Sequence, residues 1–133
     1  MDVHEINVNE EILRFIHEAG FFFYATTENG FPKVRPLGYI EEIKGKLIVA
    51  LSTTKAMAKQ TLANPYYEAC ASTQGRWIRF SGKAVPVTDP EVIAKVLECP
   101  ILSKCTPETV GAFELGISNA EYFTLHGDYA LWK

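Results

Sequence analysis

The chain has 133 residues, a formal net charge of −3 at pH 7 and 12% aromatic residues. This composition is typical of a globular protein, and we expect a single domain over residues 1–133. The mixed charge argues against a non-specific nucleic-acid-binding protein, which needs a basic face. No apolar run approaches the roughly 20 residues that cross a bilayer, and the acidic start is not a secretory signal. Three widely spaced cysteines without a CxxC pair indicate reduced, mostly buried thiols, so we expect a cytoplasmic protein.

The first half of the chain predicts one helix followed by hairpin strands. Apolar residues recur at helical spacing over residues 9–20, where Asn9 caps the predicted helix and Gly20 ends it. An extended run then reads "FFFYATTE", and Asn29–Gly30 is the strongest short signal for a hairpin. A second extended run reads "FPKVRPLGYIEEI", and a turn at Lys44–Gly45 leads into "KLIVALS".

The second half predicts two more helices and several strands. A helix over residues 53–64 precedes two strands, "YYEACASTQ" and "RWIRFSGKAVPV", which meet at a turn at Gln74–Gly75. "DPEVIAKVLE" begins with an Asp N-cap and a Pro at the first helical position, so it predicts a helix. "TPETVGAFELG" is ambiguous between a helical turn and a strand, and "AEYFTLHG" with "DYALWK" predicts a final hairpin. Strands joined by tight turns favour an antiparallel sheet. A sheet of this size must protect its edge strands, and closure into a barrel is one way to do so. We expect a mainly β (α+β) fold, an antiparallel β-barrel of six to seven strands with a few peripheral helices.

Hydroxyl and lysine side chains cluster at the junction of a predicted strand and a predicted helix. The cluster consists of Ser52, Thr53, Thr54, Lys55 and Lys59. The first turn of a helix leaves N–H groups unpaired and carries the positive end of the helix dipole, so an anion binds there. The hydroxyls add donors, and the two lysines, one turn apart, add charge on one face. The pattern predicts a phosphate site. The alternative is that Thr53 or Thr54 only caps the helix and the lysines are solvated.

A second basic feature is Arg35, which lies in a predicted strand of an otherwise apolar sheet. The planar guanidinium suits a bidentate grip on phosphate oxygens. Pro36 has no N–H for the strand ladder, so the strand is an edge, bulged or interrupted there, and Gly38 lets another backbone or a flat ligand come close. The alternative is a structural Arg35 paired with Glu41 or Glu42. Combined with the hydroxyl and lysine cluster, Arg35 favours a phosphate pocket.

No separate catalytic group is evident in the sequence. The three histidines are scattered along the chain, at His4, His17 and His126. Glu41 and Glu42 alternate along a strand and therefore point to opposite faces, which excludes a paired-carboxylate site. The cysteines lack metal-ligand spacing, and no dinucleotide-binding or P-loop motif occurs. Trp77 either stacks on a ligand ring or packs against other side chains.

Three segments in order resemble the flavin-binding split-barrel proteins related to pyridoxamine 5′-phosphate oxidase. These segments are "FYATTENGFPKVRPLGYI", "GKLIVALSTTKAMAKQTLANP" and "GRWIRFSGKAV". The likeness covers residues 12–87 and is greatest to the short single-domain branch that includes the nitroimidazole-reductase-like proteins. It implies an antiparallel split β-barrel that binds FMN in a cleft between the two subunits of a homodimer.

The resemblance also implies which residues hold the cofactor. Arg35 matches the strand arginine near the flavin phosphate, and Lys55 with the hydroxyls before it matches the phosphate-holding turn. The backbone of residues 36–38 matches the segment beside the isoalloxazine ring, and Trp77 and Arg79 match a strand that approaches the cofactor from the same or the second subunit. The full set is Arg35, Pro36, Leu37, Gly38, Ser52, Thr53, Thr54, Lys55, Lys59, Trp77 and Arg79.

The resemblance predicts an FMN-dependent oxidoreductase that acts on a small organic molecule, with the flavin supplying the chemistry and the protein holding and tuning it. One alternative is a non-enzymatic flavin, haem or small-molecule binding protein on the same barrel, and a weaker one is a dimeric interaction module. True pyridoxamine phosphate oxidases have an Arg- and Trp-rich C-terminal segment that helps to hold pyridoxal phosphate, whereas this sequence ends "GDYALWK". Vitamin B6 is therefore not the expected substrate.

Overall fold

The computed structural model describes residues 7–133. His4, one of the three histidines considered in the sequence analysis, lies outside this range. Among the described residues no helix is both long and apolar enough to cross a membrane. All three cysteines are free thiols of intermediate burial, at positions 70, 99 and 105.

Within residues 7–133, three α-helices lie around the sheet: α1 (Val8–Ala19), α2 (Ala56–Ala63) and α3 (Pro90–Val96). The cap of α1 differs from the prediction, because Asn7 rather than Asn9 accepts the hydrogen bond from the Glu10 N–H. Gly20 ends this helix in the left-handed conformation, as predicted. Asp89 caps α3, with Pro90 in its first turn. A short 3-10 helix, Pro100–Leu102, follows α3 and was not predicted.

The strands form one antiparallel sheet. In chain order they are β1 (Phe22–Glu28), β2 (Phe31–Leu37), β3 (Ile40–Ile43), β4 (Lys46–Ser52), β5 (Tyr66–Thr73), β6 (Arg76–Pro86), β7 (Val110–Leu115), β8 (Asn119–Thr124) and β9 (Tyr129–Leu131). Seven of them follow the order β2-β1-β5-β6-β7-β4-β3, and the final hairpin β8–β9 pairs with β6. This arrangement confirms the mainly β antiparallel barrel with peripheral helices.

Three tight turns fix the hairpins as predicted. Asn29–Gly30, Lys44–Gly45 and Gln74–Gly75 each have positive φ at both central residues, near +50° and then between +75° and +82°. This is the type I′ geometry, whose twist matches the right-handed twist of the flanking strands. Glycine at the second position removes the steric penalty of a positive φ.

The barrel is split where the chain passes from β2 to β3. The predicted single run "FPKVRPLGYIEEI" is two strands, joined by Gly38–Tyr39, and these strands are the two ends of the sheet path. β2 pairs only with β1, so Pro36 lies in an edge strand, where a missing N–H is tolerated. The split therefore brings residues 36–39 beside the end of β4.

Two hydrophobic clusters cover the two faces of β4. Leu47 and Val49 belong to the cluster inside the barrel, which α1 closes with Ile12 and Ile16. Ile48 and Ala50 alternate to the opposite face and pack in a second cluster beneath α3. β4 is thus buried on both sides over residues 47–50, whereas its last two residues are partly exposed and the turn that follows, residues 53–55, is exposed at the split.

Candidate functional site

A cavity of about 370 Å³ lies at the split of the barrel. Residues 36–39 and 50–52 form two of its walls, residues 101–105, which include the end of the 3-10 helix, form a third, and Lys55 also lines it. We call it the split cavity. It brings together several of the predicted site residues, namely Pro36, Leu37, Gly38, Ser52 and Lys55.

The turn between β4 and α2 is held by its own backbone. The Thr53 N–H donates to the Thr109 carbonyl (2.9 Å) and the Lys55 N–H donates to the Ser52 carbonyl (3.1 Å). The Ser52 hydroxyl accepts from the Thr54 N–H at 3.3 Å. Thr53, Thr54 and Lys55 are exposed, and of these three Lys55 lines the split cavity, whereas the two threonines do not.

The start of α2 has no side-chain cap. The helix begins at Ala56 rather than at residue 53, and its N-cap is Lys55, which makes no capping hydrogen bond. The alternative that Thr53 or Thr54 caps this helix is therefore wrong. Within residues 7–133 the N–H groups of Ala56 and Met57 have no hydrogen-bond acceptor. An anion near Lys55 would meet unpaired donors and the positive end of the helix dipole.

The Arg35 guanidinium lies between β1 and α2, and its direct hydrogen-bond acceptors among residues 7–133 are all uncharged. Its Nη1 donates to the Tyr24 carbonyl (3.2 Å) and to the Thr26 hydroxyl (2.7 Å), and its Nη2 donates to Gln60 Oε1 (2.6 Å). It does not pair with Glu41 or Glu42, so the predicted alternative of a structural ion pair with these residues is wrong. Its Nε has no partner among residues 7–133 and remains available as a donor.

Arg35 differs from the other arginines in lacking a counter-ion. The remaining three all form ion pairs: Arg14 with Glu11, Arg76 with Glu18, and Arg79 with Glu121 and Glu68. Arg35 has no such carboxylate within residues 7–133. Burial lowers the pKa of the Arg35 guanidinium, because its charge is partly removed from water. The group nevertheless stays charged at neutral pH, so this half-buried cation can accept an anionic ligand.

Lys59 lies apart from the split cavity. Its side chain lines a separate cavity of about 380 Å³ between α2 and the β1–β2 turn, together with Glu28 and Gln60. Lys55 and Lys59 are thus not brought to one cavity, although they are one helical turn apart. Arg35 itself is not part of the lining of either cavity. Pro36, the next residue in β2, lines the split cavity, and Gln60, which accepts a hydrogen bond from Arg35 Nη2, lines the second cavity together with Lys59.

Trp77 and Arg79 lie on the outer face of the sheet. The register places Arg79, Cys70, Phe23 and Pro36 in one row across β6, β5, β1 and β2. Three strand spacings separate Arg79 from Pro36, about 14 Å along the sheet. Within one chain, therefore, the structure does not bring Trp77 and Arg79 to Lys55 or to the Arg35 guanidinium.

Several aromatic side chains lie together on this outer sheet face, near the β8–β9 hairpin. Trp77 stacks on Phe123 with ring centroids 4.0 Å apart, and the Arg79 guanidinium lies 5.6 Å and 5.5 Å from these two rings. Phe23 and Tyr129 on the same face are 39% and 51% exposed. Of the two alternatives for Trp77, a ligand ring or other side chains, the chain itself shows packing against a protein side chain.

A third cavity, of about 380 Å³, adjoins the split cavity along the edge of β3. Gly38, Tyr39 and Ile101 line both cavities. The β3-edge cavity is acidic on balance, because its lining includes three glutamates, Glu42 and Glu98 among them, against a single lysine. Burial, together with nearby acidic groups, raises the pKa of the Tyr39 hydroxyl to about 12. This hydroxyl therefore stays protonated at neutral pH.

Sequence reasoning missed Thr26, Gln60 and the wall at residues 101–105. Gln60 follows buried Met57 by three positions in α2, so helical periodicity places it on the inward face. A polar residue on a buried face was an available signal for a hydrogen-bond network. The wall at residues 101–105 depends on Leu102 packing in the second hydrophobic cluster, which no local pattern reveals.

The fold and sequence match known proteins. A family model described as pyridoxamine 5′-phosphate oxidase matches residues 8–115. No curated protein matches the chain significantly in sequence. A NimC/NimA family protein from Clostridium acetobutylicum is 27% identical, with a TM-score of 0.83 over 96% of this chain and 95% of that chain.

Two further solved structures share the fold at lower identity. A pyridoxamine 5′-phosphate oxidase-related, FMN-binding protein from Nostoc punctiforme is 18% identical, with a TM-score of 0.74 over 92% of this chain and 86% of that chain. The haem storage protein HutZ from Vibrio cholerae is 19% identical, with a TM-score of 0.65 over 90% of this chain and 95% of that chain.

The family match covers residues from the start of α1 to the end of β7, and therefore includes both the split and α2. The family predicted from the three sequence segments is thus confirmed. Its relatives include FMN-binding and haem-binding proteins. The chain belongs to the pyridoxamine 5′-phosphate oxidase family of split-barrel proteins.

Proposed function

We propose that the protein binds FMN and acts as a flavin-dependent oxidoreductase on a small organic molecule. The observation that carries the proposal is Arg35, a half-buried cation without a counter-ion among the described residues. A guanidinium in this state favours an anion such as the FMN phosphate. Lys55 and the uncapped first turn of α2 supply further positive charge and free N–H donors.

The split cavity receives the isoalloxazine ring in this proposal. Its walls at residues 36–38 and 50–52 are strand ends at the split, and their backbone groups can hydrogen-bond the polar edge of a ring. Gly38 has open space where a Cβ would stand, so a flat ring can approach its backbone. When bound, FMN supplies hydride and electron transfer, and the residues of the chain bind, orient and shield it.

A homodimer completes the proposed site. Ligand pockets usually have volumes of about 300–1,000 Å³, and the split cavity is near the lower end of this range. One chain therefore encloses only part of a ligand as large as FMN. The outer sheet face exposes Phe23 and Val34, apolar surface of the kind that a subunit contact covers. Burying this face against a second copy would let the partner subunit's Trp77 and the partner subunit's Arg79 reach the ligand.

A charge introduced on this face tests the homodimer. Val34→Glu places a carboxylate at a 67% exposed position and should shift the protein from dimer to monomer in analytical ultracentrifugation, with FMN binding weakened in parallel. Leu125→Glu is the matched control, because Leu125 is 78% exposed in the β8–β9 turn. A Val34→Glu protein that remains dimeric and binds FMN normally would rule out this face as the interface.

The acidic β3-edge cavity argues against a phosphorylated substrate. Tyr39 and Gly38 connect this cavity to the split cavity, so a molecule lying against the bound ring would approach Glu42 and Glu98. A phosphate group would be repelled by these carboxylates. This charge supports a substrate other than a vitamin B6 phosphate.

Haem binding without turnover is the second candidate function. The favouring observations are the similar fold of the haem storage protein HutZ and the presence of Tyr39 and Cys105, both of types that can ligate haem iron, in the lining of the split cavity. The two candidates are separated by titrating the purified protein with FMN and with haemin, followed by an assay for oxidation of a reduced nicotinamide. Flavin uptake with nicotinamide oxidation supports the oxidoreductase, whereas haem uptake without turnover supports the carrier.

A further inference from the structure

Gln60 is a buried polar residue that connects a cation to a carboxylate. Its Oε1 accepts hydrogen bonds from Arg35 Nη2 (2.6 Å) and from the Thr26 hydroxyl (2.5 Å). Its Nε2 donates to Glu28 Oε2 (2.7 Å). Gln60 is only 7% exposed, so these contacts are made largely out of water. The amide thus separates Arg35 from Glu28, the single carboxylate of this network in the described part of the chain.

The two ends of this amide have opposite hydrogen-bonding roles, and each is matched to its neighbour. The oxygen faces two donors and the nitrogen faces an acceptor, which fixes the orientation of the amide. Glutamate at position 60 would face Arg35 as a counter-ion, and an apolar residue would leave Arg35 free to approach Glu28. Only a neutral side chain with both a donor and an acceptor holds Arg35 while leaving its charge uncompensated.

We propose that Gln60 is a positioning residue that prevents Glu28 from neutralising Arg35 and so keeps the guanidinium available for a phosphate group. The inference rests on the proposed function in taking that phosphate to be the one carried by FMN. Gln60 itself does not contact the anion and acts through Arg35. A Gln60 that served only to attach α2 to β1 would have no effect specific to phosphate.

A charge swap tests the inference with little disturbance of the fold. The double variant Gln60→Glu/Glu28→Gln keeps the net charge and can keep every hydrogen bond, because the amide introduced at position 28 can donate where the carboxylate of Glu28 accepted. It moves the carboxylate directly onto Arg35, where it competes with the ligand. We expect the Kd for FMN to rise at least about tenfold, the loss of roughly one charge-assisted contact. The Kd for riboflavin, which has no phosphate, should stay within about threefold of wild type.

Asn64→Asp is the control for a carboxylate placed elsewhere at the same helix, at the C-cap of α2. Asn64 also links this end of the helix to β1, through a 3.0 Å hydrogen bond from its Nδ2 to the Thr27 hydroxyl, but it makes no hydrogen bond with Arg35. This variant should leave the ratio of FMN to riboflavin affinity unchanged. If the charge swap does not fold, as judged by thermal melting, Gln60→Met removes the spacer at similar volume, and the same loss of FMN preference is expected.

Thermal stabilisation by inorganic phosphate separates the inference from the proposed function. Wild-type protein that binds no FMN but is stabilised by phosphate, with the stabilisation lost in the charge swap, supports the role of Gln60 and refutes FMN as the ligand. Equal FMN affinity in wild type and the folded swap overturns the inference and leaves FMN binding intact. A wild-type protein that responds to neither ligand overturns both.

Discussion

Replacing both Arg35 and Lys55 with alanine should weaken FMN binding by about 100-fold or more. A charge-assisted hydrogen bond contributes about 1.5–3 kcal/mol, and the half-buried Arg35 fits this range, whereas exposed Lys55 belongs at its lower end. Together they contribute about 3 kcal/mol or more, and each 1.4 kcal/mol is a tenfold change in Kd. Neither residue forms an ion pair within residues 7–133, so the substitutions leave no carboxylate stranded there.

The assay is a fluorescence titration with FMN and, in parallel, with riboflavin. Riboflavin affinity should change little, since both substitutions act on the phosphate. Arg14→Ala/Lys46→Ala is the charge-matched control, because it removes two exposed cations of other ion pairs. An FMN affinity in the Arg35→Ala/Lys55→Ala protein equal to that of the control would refute the phosphate site, provided that thermal melting shows both proteins folded.

Three further predictions concern flavin binding in the split cavity, the packing of glycines in the sheet and the pH dependence of stability. Gly38→Val should leave the melting temperature nearly unchanged, because a Cβ meets no atom within 4 Å, yet it should weaken both FMN and riboflavin by filling the ring position; unchanged flavin affinity would exclude that position. Gly82→Ala should cost about 3 kcal/mol of unfolding free energy in a denaturant titration, because its Cβ would overlap the Gly116 carbonyl oxygen, whereas Gly111→Ala, with its nearest contact at 3.5 Å, should cost much less. Burial, and then the charge of Glu41, raises the pKa of the Tyr39 hydroxyl to about 12. Between about pH 10 and pH 12 the folded chain therefore keeps a proton that the unfolded chain has lost. Stability present below pH 10 should therefore fall as pH rises toward 12, and Tyr39→Phe should reduce this fall in melts taken across that range; an identical fall in the variant would contradict the assignment.

Local chemistry made the hairpins and most helix ends predictable. The three type I′ turns need two residues with positive φ, and Asn-Gly, Lys-Gly and Gln-Gly each place glycine at the second. Asp89 and Pro90 mark the start of α3 because capping and the fixed φ of proline act within one turn. Asparagine is a favoured N-cap residue, and the sequence has one at position 7 and another at position 9. The sequence alone therefore does not decide which of the two caps α1.

Long-range packing decided the features that were not predicted. The break at Gly38–Tyr39 lies inside a continuous extended run, and only the separation of β2 and β3 to opposite ends of the sheet path reveals it. Alternation puts Trp77 and Arg79 on one face of β6, but which face is buried depends on the strands beside it. The hydrogen-bond network around Arg35 joins the β1–β2 hairpin to α2, and these elements become neighbours only in the fold.

The most decisive measurement is a visible absorbance spectrum of the purified protein after incubation with FMN and desalting. We expect the bands of oxidised flavin to remain with wild-type protein and to be lost from the Arg35→Ala/Lys55→Ala variant. A colourless wild-type protein would contradict FMN binding at the split cavity, and the Ser52–Lys59 segment would then be the uncapped start of a helix with solvated lysines.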